Sequence, residues 1–390
     1  MPKTIVNIIT EDNPIPAYLF IKEKYEAGDR LMYISAKDTE DDLDMLSEQF
    51  NVPTTLIEEI VLKHDMDEFT YEKICRTVLG HLKKGIRYCV NLAGGTRYMA
   101  LAVQQVFEKF DTEFFYVHVE DNLIVKSIFD DSIYDNDDRF FPIRHKMTIA
   151  EYLHAHNIQH NLSENCHHPI RPESETNRLF KLFSKQMLPS QDYKTMEQLR
   201  TYYRKRKRVQ IKTIEATGSF NSPAVPGLSR FLFDIEFVPE TKGVLTHDEL
   251  EYLTGGWFEE YTYHLVRKYV KPQDIAISVT ISRRGVRHSN ELDVVFTKGN
   301  KLFVIECKTG VQTERLFNEI VYKVCAISEA LLGVSCNPYI FSLKKDDNGE
   351  LKRIAENMGI TFVDNGMLTN PRKIQLTMAR INIQAKEEKQ

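Results

Sequence analysis

The sequence predicts an α/β protein with more than one domain, and three observations carry that prediction. The chain has 390 residues, 42% of them hydrophobic, enough for two or three separate cores. The first 145 or so residues alternate short apolar runs with amphipathic stretches. Residues 291–308 then read as strand, turn and strand, with charged groups gathered at the open end.

In the N-terminal part, Thr4 to Ile9 is an apolar run that predicts a strand. Thr10 to Pro16 is a turn cluster, and Ala17 to Tyr25 is helical in character. Arg30 to Ser35 predicts a second strand, Asp41 to Phe50 a helix and Thr55 to Leu62 a third strand. Thr70 to Lys84 is amphipathic. Tyr88 to Leu92 is a buried strand that runs into Ala93-Gly-Gly-Thr-Arg97, and Tyr98 to Phe110 is helical. Glu113 to Val119 is a further strand, followed by a hairpin through Asp121-Asn122. Strands alternating with helices imply a parallel, Rossmann-like sheet, whose ligands bind at the carboxyl ends of the strands. Two loops lie there: Thr10 to Pro16, and Asn91 to Arg97. In the second, glycines let backbone N–H groups approach a phosphate, and the following helix directs its positive end at an anion. No GxGxxG follows the first strand and no Walker Lys is present, which argues against NAD and ATP.

Thr148 to His156 predicts a short helix, and the polar, His-rich stretch from Asn157 to Arg171 a linker. Asn177 to Lys185 and Tyr193 to Arg208 read as helices; the basic run Arg204 to Arg208 suits either a nucleic-acid contact or a solvated helix end. Gly218 to Gly227 is a loop, and Phe231 to Phe237 alternates apolar and polar, as a half-buried strand does. Gly255 onward starts a helix carrying Glu259 and Glu260. Thr313 to Leu332 is an amphipathic helix with Lys323 on it. Ser335 to Ser342 predicts a strand, Leu351 to Met358 a helix, Thr361 to Val363 a last strand, and the residues from Gln384 on a tail.

The net charge of −5 does not advertise nucleic-acid binding, but a metal can supply local charge. No apolar run is long enough to span a membrane, and the six cysteines lack CxxC spacing, so a cytoplasmic protein with reduced thiols and no membrane partner is expected. Cys166-His167-His168 has no partner pair at zinc-site spacing.

The chemistry concentrates in the hairpin. Glu291 and Asp293 share one strand face, and so do Glu306 and Lys308 on the next strand. A Glu and a Lys continuing a buried strand are costly to desolvate unless paired or metal-bound. Asp293 and Glu306 can ligate a hard cation such as Mg or Mn, with the Cys307 carbonyl as a third oxygen. Lys308 can position water or counter developing charge.

Asp293 with Glu306-Cys-Lys308 resembles the PD-(D/E)xK restriction-endonuclease-like nucleases, with Leu292-Asp293 in place of Pro-Asp. The family's further helix acid fits Glu259 best, with Glu260 as the rival. The N-terminal domain resembles a CARF domain, and the whole chain is similar to type III CRISPR ancillary nucleases that join the two. The resemblance implies a CARF domain over 1–147, a linker and helical region over 148–240 and a nuclease domain over 241–390. It implies a homodimer that binds a cyclic oligoadenylate, most often cyclic tetra-adenylate, and then cleaves DNA or RNA with Mn2+ or Mg2+. Gly94, Gly95, Thr96 and Arg97, with Asn91 at the head of their loop, match the ligand loop; Thr10, Glu11 and Asn13 occupy the first loop; Ser35 and Lys37 give a weaker third contact. Two rival readings are a nucleotide-responsive DNA-binding regulator and a restriction- or repair-type endonuclease.

Overall fold

The computed structural model describes residues 2–10, 13–35, 50–62, 70–127, 139–163, 167–206, 213–215, 225, 227–241, 244–283, 289–310, 314–330 and 336–385. The N-terminal sheet is built from β1 (Thr4–Ile9), β2 (Arg30–Ser35), β3 (Ile57–Val61), β4 (Arg87–Asn91), β5 (Asp111–His118), β6 (Leu123–Ser127) and β7 (Phe140–Pro142). Its order is β3-β2-β1-β4-β5-β6-β7, parallel from β3 to β5 and antiparallel thereafter. Helices α1 (Ile15–Lys24), α2 (Tyr71–His81) and α3 (Arg97–Phe107) cross over between parallel strands. β1 is buried at all six positions, as a central parallel strand must be. The helix predicted over 41–50 lies, but for Phe50, outside the described residues.

The chain then forms α4 (Ile149–Ala155), capped by Thr148 in a capping box with Glu151. β8 (Ile158–His160) follows, within the stretch read as a linker. It pairs antiparallel with β11 (Asp274–Arg283) and becomes the edge of the second sheet, because a strand edge there would otherwise be left without partners. Next come α5 (Glu173–Ser184), α6 (Ser190–Arg206), β9 (Thr213–Glu215), α7 (Leu228–Asp234), β10 (Val244–Thr246) and α8 (His247–Glu251). The strand predicted over 231–237 is corrected to helix: Leu228, Phe231, Leu232 and Ile235 are buried at helical spacing, while Phe233 is 80% exposed.

After α9 (Trp257–Tyr269), the second sheet is formed by β11 (Asp274–Arg283), β12 (Asn290–Lys298), β13 (Lys301–Lys308), β14 (Cys336–Ser342) and β15 (Thr361–Val363). Its order is β15-β14-β13-β12-β11-β8. Helices α10 (Glu314–Ala330), α11 (Glu350–Asn357), α12 (Asn365–Leu368) and α13 (Pro371–Ala385) pack around it. Gln384, read as the start of a tail, lies in α13, where its side chain accepts a hydrogen bond from the Tyr339 hydroxyl at 2.6 Å. Among the described residues no helix is long and apolar enough to cross a membrane.

The two sheets share a core. Tyr18, Phe115, Ile143, Met147 and Tyr152 of the first part pack in one cluster with Val279, Val295, Leu302 and Val304 of the second sheet. The opposite face, with the Phe296 and Phe303 rings stacked 5.0 Å apart, packs under α9 and α13.

Candidate active site and ligand loop

The register of β12 on β13 sets Val294 opposite Ile305, which brings Asp293 and Glu306 to facing positions one residue further on. The β12–β13 ladder ends at Val294, and the Asp293 carboxylate takes over as acceptor for the Cys307 backbone N–H at 2.7 Å. N–H and C=O of one strand residue point to the same side, so the Cys307 carbonyl also turns towards β12. Asp293 is 8% exposed and Glu306 4%. Two carboxylates this buried need cations, and they have them. Lys308 Nζ lies 2.6 Å from Glu306 Oε1 and 3.4 Å from Asp293 Oδ2. Lys323, reaching in from α10, lies 3.3 Å from the same Glu306 oxygen.

Burial pushes the Asp293 carboxyl up to about 6, with Glu306 adding to the rise and Lys308 opposing it. For Lys308, burial works to lower the pKa, but Asp293 and Glu306 outweigh it and hold the ammonium above its ordinary value. Glu259 projects from α9 into the same charged cleft. Its carboxyl is held well above the usual range by desolvation and then by Asp293 and Glu291. Glu260, one residue on, faces elsewhere: it is buried and accepts the backbone N–H groups of Ile170 and Arg171 at 2.8 and 3.2 Å. The helix turn thus separates the two acids, and Glu259 is the one beside Asp293.

Among the described residues no three His, Cys, Asp or Glu side chains gather at metal-binding spacing. The donor set has a different composition: two carboxylates plus a backbone carbonyl, all hard oxygens, which fits a Mg- or Mn-type cation. Cys307 contributes no thiolate, since its Sγ is buried against the Thr262 hydroxyl and burial raises it well above the ordinary thiol range.

Two residues at the site had no signal in the sequence. Ser278 of β11 donates through Oγ to Glu259 Oε2 at 3.0 Å. Arg200 of α6 donates to the Thr309 hydroxyl at 2.7 Å, directly after Lys308. Spacing along the chain cannot reveal contacts over 19 and 109 residues.

The other candidate site lies at the carboxyl edge of the first sheet. Thr10 Oγ1 donates to the Gly94 carbonyl at 2.7 Å, joining the two predicted loops. Gly94 has φ +100°, and a Cβ there would meet the Ile8 carbonyl oxygen at 2.6 Å; a Cβ on Gly95 would strike the Ile8 side chain. Thr96 caps α3, accepting the Met99 N–H, and Thr96 and Arg97 are exposed. Asn13 donates its N–H to the Thr10 carbonyl. Asn91 and Ser35 face inward, both fully buried. Asn91 binds Asn7, the Pro16 carbonyl and the Ala93 N–H, and Ser35 donates to Glu59. Glu11, Lys37 and the run from 207 to 208 lie outside the described residues, as do the side chains of Arg204 to Arg206.

Residues 4–152 match the family model of the Card1 CARF domain, and residues 247–380 that of the Card1-like endonuclease domain. No curated protein sequence matches the chain. Among solved structures the chain is similar to protein VC1899 from Vibrio cholerae, with 16% identity, 99% of each chain covered and a TM-score of 0.72. It is also similar to Can2 from Sulfobacillus thermosulfidooxidans in complex with cyclic tetra-adenylate, with 21% identity, 96% and 98% coverage and a TM-score of 0.65. A type III CRISPR defence DNA nuclease activated by cyclic oligoadenylate aligns at 12% identity and a TM-score of 0.51, over 97% of this chain and 52% of its own. At these identities the likeness is one of fold.

Proposed function

We propose, from a chain that joins a Card1 CARF domain to a Card1-like endonuclease domain, that a cyclic oligoadenylate bound by the first switches on nucleic-acid cleavage by the second. The observation that carries this reading is the meeting of Asp293, Glu306 and Lys308 at one end of a hairpin whose other end is seated in the first domain through Asn300.

The carboxylates of Asp293 and Glu306 and the carbonyl of Cys307 would hold Mn2+ or Mg2+. Such an ion activates water at neutral pH and neutralises charge on the phosphoryl group. The chain's own residues do the rest. The Lys308 ammonium, kept charged by its two carboxylates, stands beside the attack position and offsets charge that develops on the phosphate. Glu259, whose carboxyl is held above its ordinary range by burial and then by Asp293 and Glu291, gives the site a further oxygen donor or a proton-holding group. Lys323 leaves Glu306 free to ligate by turning to a flanking phosphate.

In the CARF domain, backbone N–H groups around Gly94 and Gly95, the α3 N-terminus and Arg97 take the ring phosphates. Thr10 and Asn13 offer acceptors and donors for adenine or ribose, while Ser35, buried and bonded to Glu59, supports the sheet end from inside. Asn91 shapes the loop from inside. Cyclic tetra-adenylate has two-fold symmetry, so a homodimer with one ring on its axis is the matching assembly. The ligand activates by binding one arrangement of the two domains better than the other.

The test is cleavage of single- and double-stranded DNA and RNA with Mn2+, Mg2+ or EDTA, against cyclic oligoadenylates of several ring sizes. The reading predicts divalent-dependent cleavage stimulated most by the four-membered ring. Cleavage in EDTA, or no cleavage of any substrate, contradicts it.

A further inference from the structure

Ser278 occupies a backbone state that a strand does not call for. It lies inside β11 with φ +52°, in the left-handed region that an L-residue other than Gly, Asn or Asp rarely adopts. The register, with Ile277 opposite Val294 and Val279 opposite Leu292, sets it directly across from Asp293. Such a conformation costs on the order of 1–3 kcal/mol and persists only where its surroundings fix it. Here they do. On the outer edge of β11, the Ile277 N–H donates to the His167 carbonyl at 3.1 Å and its carbonyl faces His167 Nδ1 at 3.0 Å. Two residues beyond Ser278, the Thr280 N–H donates to Asn161 Oδ1 at 2.9 Å. The strand is therefore held on both sides of Ser278. Between these anchors, the hydroxyl of Ser278 meets Glu259 Oε2 at 3.0 Å.

Glu259 needs such a partner. It faces Asp293 and Glu291, two groups of its own charge. Without the hydroxyl, its carboxylate loses the neutral partner that fixes it beside these charges, and the cleft loses the placement of a further oxygen donor.

We propose that Ser278 is a positioning residue: its left-handed backbone aims a hydroxyl that holds Glu259 beside Asp293. The strain in β11 is thereby coupled to the geometry of the cation site. The assignment rests on the nuclease reading above.

Removing the hydroxyl should act on the cation before it acts on the fold. S278A keeps the strained backbone and loses the hydroxyl. S278G loses the hydroxyl and relieves the strain. Both should weaken Mn2+ binding, measured by calorimetry on the full chain, by about 10-fold or more, as loss of a ligand-orienting partner does. S278G should also unfold at a higher temperature than S278A. In an E259Q background, S278A should add less than about 2-fold, because it acts through Glu259. Wild-type Mn2+ affinity in both single variants overturns the assignment, and so does an undiminished S278A effect in E259Q. A wild-type chain that binds no Mn2+ overturns the nuclease reading as well, so the two failures are distinguishable.

Discussion

Asn300 donates through Nδ2 to Oδ1 of Asn122 at 2.7 Å, and this pair ties the turn of the β12–β13 hairpin to the β5–β6 turn of the first sheet. Asn300 is fully buried with φ +57°. It also accepts the Met147 N–H at 2.9 Å and donates to the His145 carbonyl at 3.0 Å. Asn122 lies beyond the carboxyl end of β5, on the edge where the Gly94 loop lies, since β4 and β5 run parallel. From Asn300, β12 runs back to Asp293 and β13 forward to Glu306. N300A strips three buried partners, and should cost roughly 2–4 kcal/mol in denaturant unfolding. It should also blunt the response of cleavage to the cyclic nucleotide.

E306Q and K308A should each lower cleavage by at least about 100-fold. The cyclic nucleotide should still bind both variants in calorimetry, because the two sites sit on different sheets. Loss of nucleotide binding in either would mean that the substitution has unsettled the shared core.

G95A places a methyl group on the Ile8 side chain, and G94A forces a side chain into a left-handed turn against the Ile8 carbonyl. Both should push the loop out of place and weaken cyclic-nucleotide binding by about 10-fold or more, as read by calorimetry. R97A should weaken it too, with an affinity less sensitive to salt than the wild type.

Glu260 gives the protein a pH-dependent stability distinct from the Asp293–Glu306 cleft. Burial pushes its carboxyl up to about 7 from an ordinary 4.5, against the pull of the Ile170 and Arg171 N–H groups. The folded state therefore holds this proton where the unfolded chain has lost it. Stability from this group falls as pH rises between about 4.5 and about 7, by up to about 3 kcal/mol. E260Q should flatten that slope in unfolding midpoints measured across the window. An unchanged slope would assign it to another group.

The parallel sheet and the β12–β13 hairpin were legible because both write themselves in local pattern. β1, β2 and β4 are apolar runs bounded by turn residues, and Lys298-Gly-Asn-Lys301 announces the hairpin with Gly299 and Asn300 both at positive φ. Phe231 to Phe237 misled because its aromatic alternation mimics a strand, while the helical spacing starts earlier, at Leu228. α13 drew no prediction, although Ile374, Thr377, Met378, Ile381 and Ala385 recur at helical spacing. β8 is three residues long and gains its identity only from pairing with β11. Ser278 and Arg200 reach the site through tertiary contacts, which no spacing rule encodes.

The most direct measurement is the initial rate of nucleic-acid cleavage in Mn2+ by the full chain, with and without saturating cyclic tetra-adenylate, with E306Q as the background control. The account predicts a rate that rises at least about 10-fold with the nucleotide and collapses in E306Q. Equal rates with and without the nucleotide, or cleavage that survives E306Q, would contradict it.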